Sequence, residues 1–187
     1  MQPMFDQDAW KQALEERREE VAHYYLNHFD WRGVPPPDDF TGPRYFPVDE
    51  GWRVPARLDR QAPGAGKHVQ LETSVGDLRD AHAYGMFVFT VDGQEQHLTA
   101  YQTLPVQPDY DDLFVPFRDA TSGKETYGAG RYLEVPRQED SDDYILDFNK
   151  AYNPSCAYSP RWNCPYPPPE NRLAIAVEAG EKVPFEH

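Results

Sequence analysis

Arg131 is the residue most out of place among its neighbours. In the run ETYGAGRYLEV, read as an extended strand, Tyr127, Ala129, Arg131, Leu133 and Val135 share one face, and only the arginine is charged. A guanidinium so placed must snorkel to water, pair with a carboxylate, or bind an anion. Gly128 and Gly130 would let another backbone or a ligand approach closely. A phosphate cradle at GAG is disfavoured, because no helix N-terminus follows it. The candidate carboxylate lies in DYILDFNKAYNP, where alternation sets Tyr144, Leu146 and Phe148 against Ile145, Asp147 and Asn149. Asp and Asn are poor mid-strand residues, so both need a reason to be there. Either Asp147 neutralises Arg131 and Asn149 ties down the loop that follows, or the three form a polar ligand site or part of an acid–base pair. Glu170 is a second candidate partner for Arg131.

The segment NPSCAYSPRWNCPYPPPEN carries both cysteines of the chain. It has neither helical periodicity nor strand alternation, so its shape must be imposed by the surrounding fold. Cys156 and Cys164 are too widely spaced for the usual zinc pairs, and no metal site is expected. A disulfide across the turn and a pair of buried free thiols both remain open. No histidine is near in sequence to activate Cys156 as a nucleophile. The proline run CPYPPPEN is preorganised and extended. We expect the whole segment to be a rigid lid over the Arg131–Asp147 end of a sheet.

The elements that must position these residues start with a helix. Asp6 or Asp8 can cap it, and Trp10, Leu14, Val21 and Tyr25 form one stripe, with EERREE expected on a solvated face. WRGVPPPDDF ends the helix. Beyond it the period becomes two. Extended pieces are expected in RYFPVDEGWRVPARLDR, KHVQLETSV, LRDAHAYGMFVFTV, HLTAYQTL, LFVPFRD, ETYGAGRYLEVP, DYILDFN and RLAIAVEAG. The fold expected is mainly β: an antiparallel barrel or closed sandwich of about eight strands with one N-terminal amphipathic helix. It forms a single domain, residues 1–187, with the helix in 1–30 and the β-domain in 40–187.

Asp92-Gly93 between alternating runs marks a two-residue hairpin. It pairs Val91 with Gln94 and Val88 with His97, and continuing the register pairs Tyr84 with Tyr101 and His82 with Thr103. Phe87, Phe89 and Leu98 then face the core. His82, Tyr84, Met86, His97 and Tyr101 lie on an amphipathic face, either the lining of a ligand cavity or, as we expect, a moderately wet outer surface.

The 187 residues carry 32 acidic and 18 basic side chains, a net charge of −14, with thirteen arginines and only five lysines. Such a surface disfavours nucleic acid and anionic membranes. It also fits a protein adapted to a salt-rich cytoplasm, where self-repulsion is screened. The N-terminal residues lack an apolar leader run, and no stretch approaches a membrane span, so a cytoplasmic location is expected.

Across LFVPFRDATSGKETYGAGRYL, LDFNKAYNPSCAY and CPYPPPENRLAIAVEAGEK the chain resembles the bacterial and archaeal family catalogued as domain of unknown function number 1684. FTGPRYFPVDEGWRVPARL resembles the family's opening. The resemblance implies that Asp119, Thr121, Gly123, Thr126, Tyr127, Gly130, Arg131 and Tyr132 belong to a shared pattern. It implies the same for Asp147, Asn149, Tyr152, Asn153, Cys156, Cys164, Glu170 and Asn171. Some relatives look exported, where a Cys156–Cys164 disulfide would be natural. No activity or cofactor is implied.

Three readings follow. In the first, the domain binds a small polar or anionic ligand: Arg131 anchors it, Asp147, Asn149, Asn153 and Glu170 hydrogen-bond, and Tyr127 or Tyr152 form walls. In the second, Asp147 or Glu170 is the general base of a hydrolase or isomerase, which requires a desolvated carboxylate beside a cavity. In the third, the cluster braces an aromatic core and the protein acts through its surface.

Overall fold

The computed structural model describes residues 4–106 and 110–185. One helix, α1 (Gln7–Asn27), precedes seven strands: β1 (Arg53–Asp59), β2 (His68–Glu72), β3 (Leu78–Val91), β4 (Gln94–Thr103), β5 (Asp112–Phe117), β6 (Arg131–Pro136) and β7 (Asp143–Asp147). Asp6 is the cap, its Oδ1 accepting from the Ala9 amide at 3.0 Å. Leu14 and Tyr25 are buried while Trp10 and Val21 are half-buried, as the helical stripe requires. Among the described residues, no helix is long and apolar enough to cross a membrane.

All strand pairs are antiparallel, in the order β6-β5-β4-β3-β1-β7, with β2 on the first half of β3. The sheet curls into an open half-barrel, so the expected closed barrel or sandwich of eight strands is corrected. RYFPVDE contributes only an isolated bridge, Tyr45 to Glu181, and RLAIAVEAG only another, Arg172 to Arg118. β4 and β5 pair at one position, Tyr101 with Phe114. Beside it the Asn171 side chain bonds the Thr99 amide, the Thr99 carbonyl and the Pro116 carbonyl, each at 2.8 Å, and so stitches the gap.

The hairpin turn is as expected, with Asp92 and Gly93 at φ 49° and 75° and with Val91 opposite Gln94 and Val88 opposite His97. The register then slips. A β-bulge at Tyr84 sets Ala83 opposite Tyr101 and Ala81 opposite Thr103, which corrects the expected Tyr84–Tyr101 and His82–Thr103 pairs. A bulge transfers every later residue of the strand to the other face. Ala81 and Ala83 therefore leave the face of Phe87 and Phe89 and join Leu71, Tyr101, Phe114 and Tyr132 in a second core. Tyr101, expected on a wet face, is 1% exposed.

The main core fills the concave face: Phe87, Phe89, Leu98, Leu113, Val115, Phe117, Leu133, Tyr144, Leu146 and Phe148, closed by Leu173, Val177 and Ala179. The cysteine segment covers the opposite face. Tyr166 N donates to Glu72 O at 2.7 Å, Ser74 N to Cys164 O at 2.9 Å, and Tyr132 Oη to Pro165 O at 2.5 Å. It is a lid, but over the second core and not over Asp147.

Candidate functional site

Arg131 opens β6, and its guanidinium replaces a missing strand ladder. Nη2 donates to Val177 O at 2.8 Å, and Nη1 donates to Glu181 O at 3.1 Å and to Ala179 O. Carbonyls of alternate residues in an extended segment point the same way, so one planar fork can collect three of them. The charge is met by Asp119, 3.6 Å away and equally buried, whose other oxygen accepts the Val177 amide at 2.6 Å. Burial lowers the Arg131 pKa to about 10, which leaves it charged at neutral pH. Asp147 is thus not its partner: Asp147 accepts from Trp10 Nε1 at 2.8 Å and from the Asn149 amide at 3.2 Å, and docks the helix. Glu170 is not its partner either, because it accepts from Tyr101 Oη at 2.8 Å on the far face. Asn149 ties Asp49, bonding its amide and carbonyl at 2.9 and 2.8 Å, rather than the cysteine loop.

The clamped segment ends in Gly180 and Glu181. Gly180 has φ 77°, and a Cβ there would lie 2.6 Å from the Ala151 carbonyl, so the turn needs a glycine. It swings the Glu181 side chain inward, where it is 3% exposed. Its Oε2 accepts from the Asn153 amide at 2.9 Å and from Tyr158 Oη at 2.7 Å. Burial outweighs these bonds and the nearby arginines, and pushes its pKa up to about 7.

Glu181 borders a cleft of about 280 Å³ between α1 and the sheet. Leu14, Val21 and Tyr25 of the helix face Tyr45, Ala151 and Tyr152 across it, with Arg17, Arg18, Glu134, Asn149, Lys150 and Glu181 as its polar lining. Arg18 Nη1 donates to Phe46 O at 3.1 Å, and its guanidinium stacks 4.3 Å from the Tyr45 ring centre. Among the described residues no group accepts from Arg18 Nε or Nη2, although both atoms are buried. Burial lowers the Arg18 pKa, and Tyr45 and Glu181 partly restore it. Tyr152 donates to Glu134 at 2.6 Å, and burial, reinforced by that contact, raises the phenol pKa well above its ordinary value.

The residues singled out in the sequence therefore scatter around one clamped segment. Asn149 and Tyr152 line the cleft; Asn153 and Arg131 lie behind it, holding Glu181 by its carboxylate and carbonyl. Tyr127, Asp147 and Glu170 lie elsewhere. Arg17, Arg18, Tyr45, Glu134, Lys150 and Glu181 of the cleft escaped the sequence reading. Arg18 sits in EERREE, taken as a solvated face, yet Leu14, Arg18, Val21 and Tyr25 follow helical spacing and share a side. Glu181 gave no local signal, since Tyr158 and Asn153, which hold its carboxylate, are 23 and 28 positions earlier.

Cys156 and Cys164 are neighbouring free thiols under the lid. The Cys156 amide donates to Cys164 Sγ at 3.3 Å, and Tyr127 Oη lies 3.8 Å from Cys156 Sγ. A hydrogen bond between the sulfurs lowers the Cys164 pKa to about 7, and the same bond with burial raises that of Cys156. Among the described residues no three His, Cys, Asp or Glu side chains are grouped to hold a metal ion.

Comparison with known proteins agrees with this picture of the fold. The solution structure of an uncharacterized protein of Haloarcula marismortui superposes with a TM-score of 0.73 at 36% identity, covering 96% of this chain and 97% of that one. A search of curated proteins gave no match. The family model described as "Protein of unknown function (DUF1684)" matches residues 38–182. That span holds the arginine clamp, the lid and every cleft residue except those of α1, and the chain belongs to the DUF1684 family.

Proposed function

We propose that this domain binds a small polar or anionic molecule in the cleft between α1 and the sheet. One observation carries the reading: Arg18 lines an open cleft, and two of its guanidinium nitrogens, both buried, lack a protein acceptor among the described residues. Such orphaned donors cost about 1–3 kcal/mol or more when charged, and a fold keeps them where something else accepts. At about 280 Å³ the cleft falls near the lower end of ligand pockets, which run from ~300 Å³ upward. The test is a titration of ¹⁵N-labelled protein with a library of small organic anions. Amides of residues 14–25 and 149–152 should shift together and saturably. Shifts confined to other surfaces, or none at all, would remove the reading.

Glu181 supports a second reading, a hydrolase or isomerase in which it moves the proton. A carboxyl group with a pKa near 7 beside a cleft is poised for acid–base work at neutral pH. Under this reading a screen of small chromogenic esters gives turnover with the native protein and none with Glu181→Gln. A native protein inactive across the screen, or an equally active variant, would count against it.

A further inference from the structure

We infer that the molecule held in the cleft is a monocarboxylate on a short apolar body, its two oxygens seated side by side on Arg18. This rests on the binding reading above and names the chemistry of the ligand. Arg18 Nη1 is spent on Phe46 O, which leaves Nε and Nη2. Those two donors lie along one edge of the planar guanidinium, and that edge matches the spacing of two oxygens on one carbon or phosphorus. The Tyr45 ring, 4.3 Å from the guanidinium carbon, fixes the plane of the fork.

Charge chooses between the two kinds of head group. Glu134 and Glu181 border the same cleft as Arg17, Arg18 and Lys150. Glu134, joined by Glu181 where that group is ionised, opposes a dianionic phosphate more than a single negative charge. Shape supplies the rest. Leu14 on one side of Arg18 and Val21 and Tyr25 on the other make the apolar side of the cleft along α1, and its volume of about 280 Å³ admits only a short chain or one ring.

The test compares hexanoate, hexyl phosphate and hexan-1-ol, which share one apolar body. Binding to the full chain is measured by calorimetry and by amide shifts. Hexanoate should bind saturably and shift residues 14–25 and 149–152, and Arg18→Lys, which keeps the charge but loses the fork, should weaken it at least ~tenfold. The amide spectrum of Arg18→Lys outside the cleft reports that the variant is folded. Val21→Trp, which fills the apolar side instead, should also abolish hexanoate binding. Equal affinity in Arg18→Lys overturns the two-pronged seat. Tighter binding of hexyl phosphate overturns the carboxylate, and equal binding of hexan-1-ol overturns the head group; both leave the cleft reading standing. If none of the three moves a cleft amide, both the inference and the reading beneath it fall.

Discussion

Arg131→Met is expected to leave little native protein at room temperature. The substitution keeps an apolar stem of similar length and deletes the guanidinium, so it isolates the polar contribution. Asp119 is then a buried carboxylate without its cation, which by itself costs about 3–5 kcal/mol. The carbonyls of Val177, Ala179 and Glu181 lose their donor at the same time. Each buried acceptor left unmet adds about 1–3 kcal/mol unless water reaches it. Native domains have about 5–15 kcal/mol in all, so the loss is comparable to the whole stability. Arg131→Lys should fare only slightly better, because a point charge on a single stem cannot reach three carbonyls at once. Urea unfolding followed by tryptophan fluorescence provides the measurement. A midpoint for Arg131→Met within about 1 kcal/mol of the native protein would mean that the C-terminal segment is held by its apolar contacts alone.

Glu181 should make the fold less stable as the solution becomes more alkaline. Unfolded, this carboxyl group loses its proton near the ordinary 4.5; folded, it does so near 7. Between those values the folded protein holds a proton that the unfolded chain has released. Raising the pH therefore favours unfolding, and stability falls from about pH 4.5 until the folded group is ionised above pH 7. The gap is worth roughly 3 kcal/mol, as an upper figure. Glu181→Gln keeps an oxygen that can accept from Asn153 and Tyr158 and cannot ionise. It should match the native protein near pH 4.5 and exceed it at pH 8 by up to about 3 kcal/mol, of order 10 °C in Tm for a chain of this size. Other titrating groups are common to both proteins, so the difference isolates this one. Parallel stability profiles for the two proteins would show that Glu181 titrates as an ordinary surface carboxylate.

Much of the architecture was legible because it rests on local rules. The stripe of α1, the Asp92-Gly93 turn and the alternation in β5 and β7 each follow from the spacing of side chains along the chain. The departures are non-local. RLAIAVEAG reads as a strand because its residues alternate, yet its Val177 and Ala179 carbonyls go to a side chain, Arg131, while those of Ile175 and Gly180 meet the backbone amides of Ala120 and Phe46. The bulge at Tyr84 has no marker beyond Gly85, where a Cβ would come within 2.9 Å of Leu58. At the candidate site, the Arg131 anomaly was visible and its partner was not: Asp119 looked like a turn residue, and Asp147 stood at the more suggestive place in a strand. Arg18 could have been found by extending the apolar stripe of the helix through the charged run. Glu181 could not, because a glutamate in so acidic a chain looks like any other until the fold buries it.

The helix that roofs the cleft is anchored to the far end of the chain. Trp10 reaches Asp147 across 137 positions, and the Tyr25 and Tyr158 rings lie 4.1 Å apart. On the ribosome α1 emerges before these receptors, and at ~5–20 residues per second the delay is on the order of ten seconds. Through that interval Tyr25, Phe29 and Trp31 have one another and Phe40 but not Tyr158 or Trp162, and the acidic residues along the opposite side of α1 keep the waiting segment in water. The roof is made before the residues that seat its two ends, so a chain cut short before residue 147 keeps the contacts of Arg18 with Tyr45 and Phe46 but lacks Asp147, Tyr158 and a complete sheet.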